Sequence, residues 1–271
     1  MKHRRAARIA LGALRPSGAA LGALAAALAF GQAVTAPGPS RSFIACPIYR
    51  DTVNGRKSGC WLATDASDGV RYDVSLGRTK PQIGHEILVE GRVSSDRAAC
   101  GGLAMTPIHV SVLETTCPSF TLPAEGFPGR RYEVPLNLVL PPADAVREPP
   151  PPPYPPRTWA IEFAYGSDFL QYQYSEVILD DIARYVLAAH PRAVTIDGYA
   201  ATRGWVVSER RLSEPATLAA SRAALVAEAL QRLGVAPSLL KVSWHGNAQA
   251  EPIDDGLPEP SKRRVDIKMS Y

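Results

Sequence analysis

The sequence predicts an α+β chain with two folded parts, and three observations carry that prediction. All four cysteines fall between Cys46 and Cys117, among short apolar runs that read as strands. Prolines cluster between Pro141 and Pro156. From Thr158 onward, strand-like alternation and helix-like spacing follow in the order β-α-β-α-β-β. The expected division is residues 1–36, an export signal or anchor; 42–120, a β-rich domain; 121–157, a Pro-rich linker; and 158–271, a mixed domain.

The first segment is basic and then apolar. Lys2, Arg4, Arg5, Arg8 and Arg15 precede or open an Ala/Leu/Gly-rich run, and no acid occurs before Pro37. Small residues at Gly31, Ala33 and Ala36 suit a signal peptidase. Cleavage would leave an exported chain in the periplasm or at the outer membrane. If the signal stays uncleaved, the run from Ser17 to Ala36 is just long enough to anchor the chain in the inner membrane. The net charge of +4 is largely this segment's. Without its five cations, 25 basic residues face 26 acidic ones, a balance that argues against a nucleic-acid partner.

In the β-rich part, Gly59–Ala63, Val70–Leu76, His85–Val93 and Ile108–Leu113 read as strands. Val70, Tyr72, Val74 and Leu76 fall on one face, as do Ile87 and Val89 on another strand. Four or five short strands in this span suggest a small barrel of the OB-like kind. Cys46, Cys60, Cys100 and Cys117 suit two disulfides in an exported protein. Three pairings are open, and the short spacing inclines towards Cys46–Cys60 with Cys100–Cys117. No CxxC or HxxxH spacing points to a metal. The run Pro149–Pro156, broken by Tyr154, favours extended polyproline II and reads as a semi-rigid spacer between independent parts.

The mixed part opens with a strand at Trp159–Phe163. A helix follows over Tyr174–Ala189, with Val177, Ile178, Ile182, Tyr185, Val186 and Ala189 on one face. Ala193–Gly198 is a second strand. The second helix runs from about Pro215 to Leu233, with Ser213 as its cap and Gly234 as its stop. Lys241–Gly246 and Arg264–Met269 are the last strands.

Five local motifs in this order resemble the OmpA-like C-terminal family. They are Phe163-Ala-Tyr-Gly-Ser-Asp-Phe-Leu170, Ile196-Asp-Gly-Tyr-Ala-Ala201, Leu218-Ala-Ala-Ser-Arg222-Ala223, the turn from Gly246 to Pro252, and Lys262-Arg-Arg-Val-Asp-Ile267. The resemblance implies a non-catalytic module that binds peptidoglycan by the diaminopimelate residue of its stem peptide. A family arginine would take the carboxylate, because its fork of donors allows bidentate contact. A family aspartate would take the ammonium. Arg222 stands at the arginine position, and Ala201 stands where the aspartate belongs. Tyr199 would line the same pocket, and Arg263 belongs to the double-arginine motif, whose arginines are more often structural. The loop from Thr202 to Pro215 carries Glu209 and Glu214, either of which could supply a replacement carboxylate; a solvated loop is the plainer reading.

The expectation is therefore an envelope protein that binds peptidoglycan in weakened or altered form. The competing expectation is a structural or protein-interaction module that keeps the fold and has lost the ligand. Envelope proteins are possible partners through the β-rich domain. No cofactor is expected, and no catalytic residue: no Gly-x-Ser-x-Gly elbow occurs, and the paired acids Asp180-Asp181 and Asp254-Asp255 are sequence neighbours that do not converge on one substrate.

Overall fold

Among the described residues, seven strands of the first part hydrogen-bond into one sheet. They are β1 (Ser40–Ala45), β2 (Ile48–Arg50), β3 (Cys60–Thr64), β4 (Arg71–Asp73), β5 (His85–Val93), β6 (Leu103–Thr116) and β7 (Phe120–Leu122). The computed structural model describes residues 38–53, 60–95, 100–129, 139–140, 148–246 and 256–271. The segment expected to be an export signal or anchor, Pro141-Pro142, Asp254-Asp255 and most of the turn from Gly246 to Pro252 lie outside the described residues.

The strand order is β1-β5-β6-β4-β3-β2-β7. Among the described residues the outer strands β1 and β7 do not pair, so the sheet does not close into the small barrel expected. The strand expected over Val70–Leu76 is cut short. Asp73 accepts the Ser75 N–H at 3.0 Å and turns the chain, which buries Val74 but leaves Leu76 about half exposed. Cys60 bonds to Cys100, which replaces the favoured Cys46–Cys60 pairing. Both sulfurs are buried beside Leu62, Ile48 and Leu122. Cys46 and Cys117 remain as thiols in contact. Burial, then the hydrogen bond and charge of Cys46, then the charge of Glu86 push the Cys117 thiol up to about 12.

Strand β5 shows what the sequence pattern could not. Ile87 and Val89 point into the β-rich core, with Phe43, Tyr72 and Met105. Leu88 and Glu90, on the opposite face, are equally buried. A strand with two buried faces needs a second layer, and here that layer is the C-terminal part. The described residues from Gly38 onward accordingly belong to one compact unit. The described end of the proline run is in contact with the C-terminal part. It lies along the first helix of the C-terminal part, where the Tyr185 hydroxyl donates to Pro155 O at 2.8 Å and the Tyr154 ring packs edge-on against Tyr185.

The C-terminal part contains β8 (Thr158–Glu162), α1 (Tyr174–Ala189), β9 (Ala193–Ala200), β10 (Trp205–Val207), β11 (Arg210–Leu212), α2 (Thr217–Arg232), β12 (Leu240–Gly246), the single turn α3 (Pro258–Ser261) and β13 (Arg264–Ser270). Its sheet runs β12-β9-β13-β8, with β12 and β9 parallel and the other pairs antiparallel. The apolar faces of α1 and α2 close over it. Ile182, Val186, Val226 and Leu230 pack against Ile161, Val194, Ile196 and Ile267. Helix α2 begins later than expected: Ala216, not Ser213, is its cap. Gly198 lets α2 approach β9, since a Cβ there would meet Ala219 O at 2.1 Å. The small hairpin β10–β11 belongs to neither large sheet.

Candidate functional site

Helix α2 carries Arg222 on its buried face, so the guanidinium points inward over the end of β9 and is wholly excluded from solvent. A guanidinium has five N–H donors, and each finds an acceptor. Nε donates to Ser167 O at 2.9 Å. Nη1 donates to Tyr199 O and to Glu214 Oε2, both at 3.0 Å. Nη2 donates to Ala164 O at 3.3 Å and to Glu214 Oε1 at 2.6 Å. The carboxylate of Glu214 thus sits in the fork of Arg222, the bidentate geometry that a carboxylate ligand would use.

Two backbone amides complete the cradle. Ala201 N–H donates to Glu214 Oε2 at 2.8 Å, and Gly166 N–H donates to Oε1 at 2.9 Å. Burial alone would raise the Glu214 pKa. The hydrogen bond and charge of Arg222, the charge of Arg263 and the Ala201 amide outweigh that cost and hold it below the usual carboxylate value.

The residues expected at this site therefore take different parts. Arg222 is central. Ala201 contributes through its amide, not its side chain. Tyr199 contributes its carbonyl: strand alternation turns its ring away, to stack on His245 beneath the Arg264 guanidinium. Arg263 does not reach the cradle's carboxylate by hydrogen bond. It grips Glu90 of β5 with Nη1 at 3.3 Å and Nη2 at 2.5 Å, and both side chains are buried. Glu209 is exposed. Glu214 is the residue that the plainer reading of the loop missed. Its carboxylate faces the arginine. The available signal was its position eight residues before Arg222, directly ahead of a helix. Among the described residues, no cluster of His, Cys, Asp and Glu could hold a metal ion.

The OmpA family matches residues 162–265, a span that contains the whole cradle. The C-terminal domain is OmpA-like. Three solved structures are similar to it. The OmpA-like domain of FopA1 from Francisella tularensis subsp. tularensis SCHU S4 shares 21% identity over 42% of this chain and 71% of its own, with a TM-score of 0.34. The peptidoglycan-associated lipoprotein from Burkholderia pseudomallei shares 25% over 41% of this chain and 89% of its own, with a TM-score of 0.33. The periplasmic domain of Helicobacter pylori MotB shares 25% over 39% of this chain and 65% of its own, with a TM-score of 0.32. No curated protein matches the chain.

Proposed function

We propose that this chain is an exported, non-enzymatic protein of the bacterial envelope whose OmpA-like domain associates with peptidoglycan. Its association is weak, because Glu214 competes for the arginine that would hold the ligand's carboxylate. The family match over residues 162–265 supports the general kind. The observation that carries the specific reading is the cradle itself: a guanidinium fork and two converging amides around one carboxylate. A stem-peptide carboxylate has the chemistry to take that place. With Ala201 at the aspartate position, no family aspartate side chain would meet the ligand's ammonium, which lowers affinity further.

The test is cosedimentation of the full mature chain with isolated sacculi. The wild type should be retained weakly at low salt and released by free diaminopimelate. Glu214→Gln should be retained more strongly. A second reading has its own support: every donor of Arg222 is already satisfied inside the domain. On that reading the charge pair is structural and the domain is an interaction module. Absence of retention for both proteins would decide for this second reading.

A further inference from the structure

The hairpin β10–β11 touches both halves of the molecule. Its buried side chains, Val207 and Leu212, pack with Ile44, Leu88 and Leu113 of the β-rich domain. At its tip, Ser208 Oγ accepts the Ile44 N–H at 3.0 Å. Arg210 pairs with Glu86 and also donates to Thr115 Oγ1 at 3.3 Å. Two residues beyond Leu212 the same chain delivers Glu214 to Arg222.

Apart from that docking the hairpin is held within its own domain by Trp205, whose ring meets Tyr165 edge-on at 5.5 Å and lies 5.9 Å from the Arg263 guanidinium. It forms a two-stranded sheet of three residues per strand, separate from both larger sheets. Such a hairpin is marginal by itself in water. Its turn places Ser208 and Glu209 at φ 46° and 63°, a region that non-glycine residues enter at a cost. The outward side, with Val206, Glu209 and Arg211, is exposed. Docking on the β-rich domain, which buries Val207 and Leu212, therefore adds substantially to the order that Trp205 supplies.

The loop on the other side of the cradle is tied to the same domain. Tyr165 N–H donates to Ser111 Oγ at 2.8 Å, and Arg78 pairs with Glu162 at 2.9 Å. Tyr165 also donates its hydroxyl to Ser213 O at 3.0 Å. Both amides that hold Glu214 therefore sit next to elements clamped by the β-rich domain.

We propose that the β-rich domain is the latch of the cradle: its docking holds the hairpin, the hairpin holds Glu214 in Arg222, and undocking opens the cradle to an external carboxylate. This regulation rests on the peptidoglycan reading of the same site. Glu214 is then a tethered competitor, and the apparent affinity for peptidoglycan scales with the fraction of molecules in which it has left.

The experiment loosens the docking without touching the cradle. The full chain carrying Ser208→Ala with Arg210→Ala, and separately Glu90→Gln, is compared with wild type and Glu214→Gln for binding to isolated sacculi. Amide hydrogen exchange is followed in parallel at Ala201 and Gly166, the two donors to Glu214. Loosened variants should exchange faster at both amides and bind sacculi about tenfold more tightly, and Arg222→Lys in the same background should cancel the gain. If Glu214→Gln binds tightly while variants with faster exchange bind no better than wild type, the latch is refuted and the peptidoglycan reading stands. If Glu214→Gln itself does not bind, the peptidoglycan reading fails and the latch with it. Exchange in the wild type gives a test that needs no variant: added sacculi should deprotect the hairpin, and unchanged protection under demonstrated binding would overturn the proposal.

Discussion

Two buried arginines, Arg222 and Arg263, each hold a carboxylate in a fork, yet they do different work. Arg222 and Glu214 are eight residues apart, within one domain, and every polar atom of the pair is used. Arg263 and Glu90 are 173 residues apart, in different domains. There the Arg263 Nε is buried without a hydrogen-bond partner. Burial tends to lower the Arg263 pKa, but the charge and hydrogen bonds of Glu90 and the charges of Glu214 and Glu259 hold it raised. A fully satisfied ion pair resists opening as long as its neighbours hold it in place. A pair with an orphaned donor retains an incentive to rehydrate, because an unmade buried hydrogen bond is costly. On the latch proposal the first is the cradle and the second is the joint that parts.

The comparison can be broken most forcefully at Arg222. Arg222→Ala strands Glu214 in the core and should destabilise the chain by about 3–5 kcal/mol, measured by urea unfolding. A loss below about 1 kcal/mol would mean that the cradle is solvated in solution. Glu90→Ala should cost less, about 2–3 kcal/mol, because the domains can part and let water reach Arg263. Proteolytic susceptibility of the hairpin should rise in this variant and stay unchanged in a control such as Glu228→Ala, whose carboxylate pairs on the surface of α2.

Acid should act on the cradle next. The folded-state pKa of Glu214 lies below its ordinary value of 4.5, so the charged form is favoured by folding. That stabilisation is complete above the unfolded-state value and is lost as pH falls through the lower folded one. Unfolding free energy measured against pH should therefore decline below about pH 4.5, with a smaller decline in Glu214→Gln. Equal slopes would remove Glu214 from the account. The smallest effect belongs to Arg210→Ala. Its pair with Glu86 is partly exposed, so the loss should be at most about 1 kcal/mol, with altered hairpin exchange as its clearer signature.

The core of the C-terminal domain was legible because each element buries one face. Periodicity placed α1 at Tyr174–Ala189 and put Ile182, Tyr185 and Val186 inward, where they are. Arg222 was legible through a local motif. The β5 strand was half legible: alternation identified Ile87 and Val89, but no single-strand pattern reveals that Leu88 and Glu90 will meet another domain. The hairpin was not legible at all. Its strands are three residues long, and its turn uses Ser208 and Glu209 where glycine or asparagine would have announced it. Glu214 was named as a spare acid, and only its partner shows what it is for. The Cys60–Cys100 pairing depended on strand order, which spacing does not encode.

Gly198 sets a limit on how sequences of this fold can drift. A methyl group there would also meet the Ala223 Cβ at 2.9 Å, beside its clash with Ala219 O. Ala223 is the immediate neighbour of Arg222. Any side chain at position 198 would lift the helix that carries the guanidinium away from Tyr199 O, one residue along the strand. What fills the cradle, here Glu214, is delivered by a loop and can change with it. The depth at which the arginine sits cannot, because one missing carbon atom determines it.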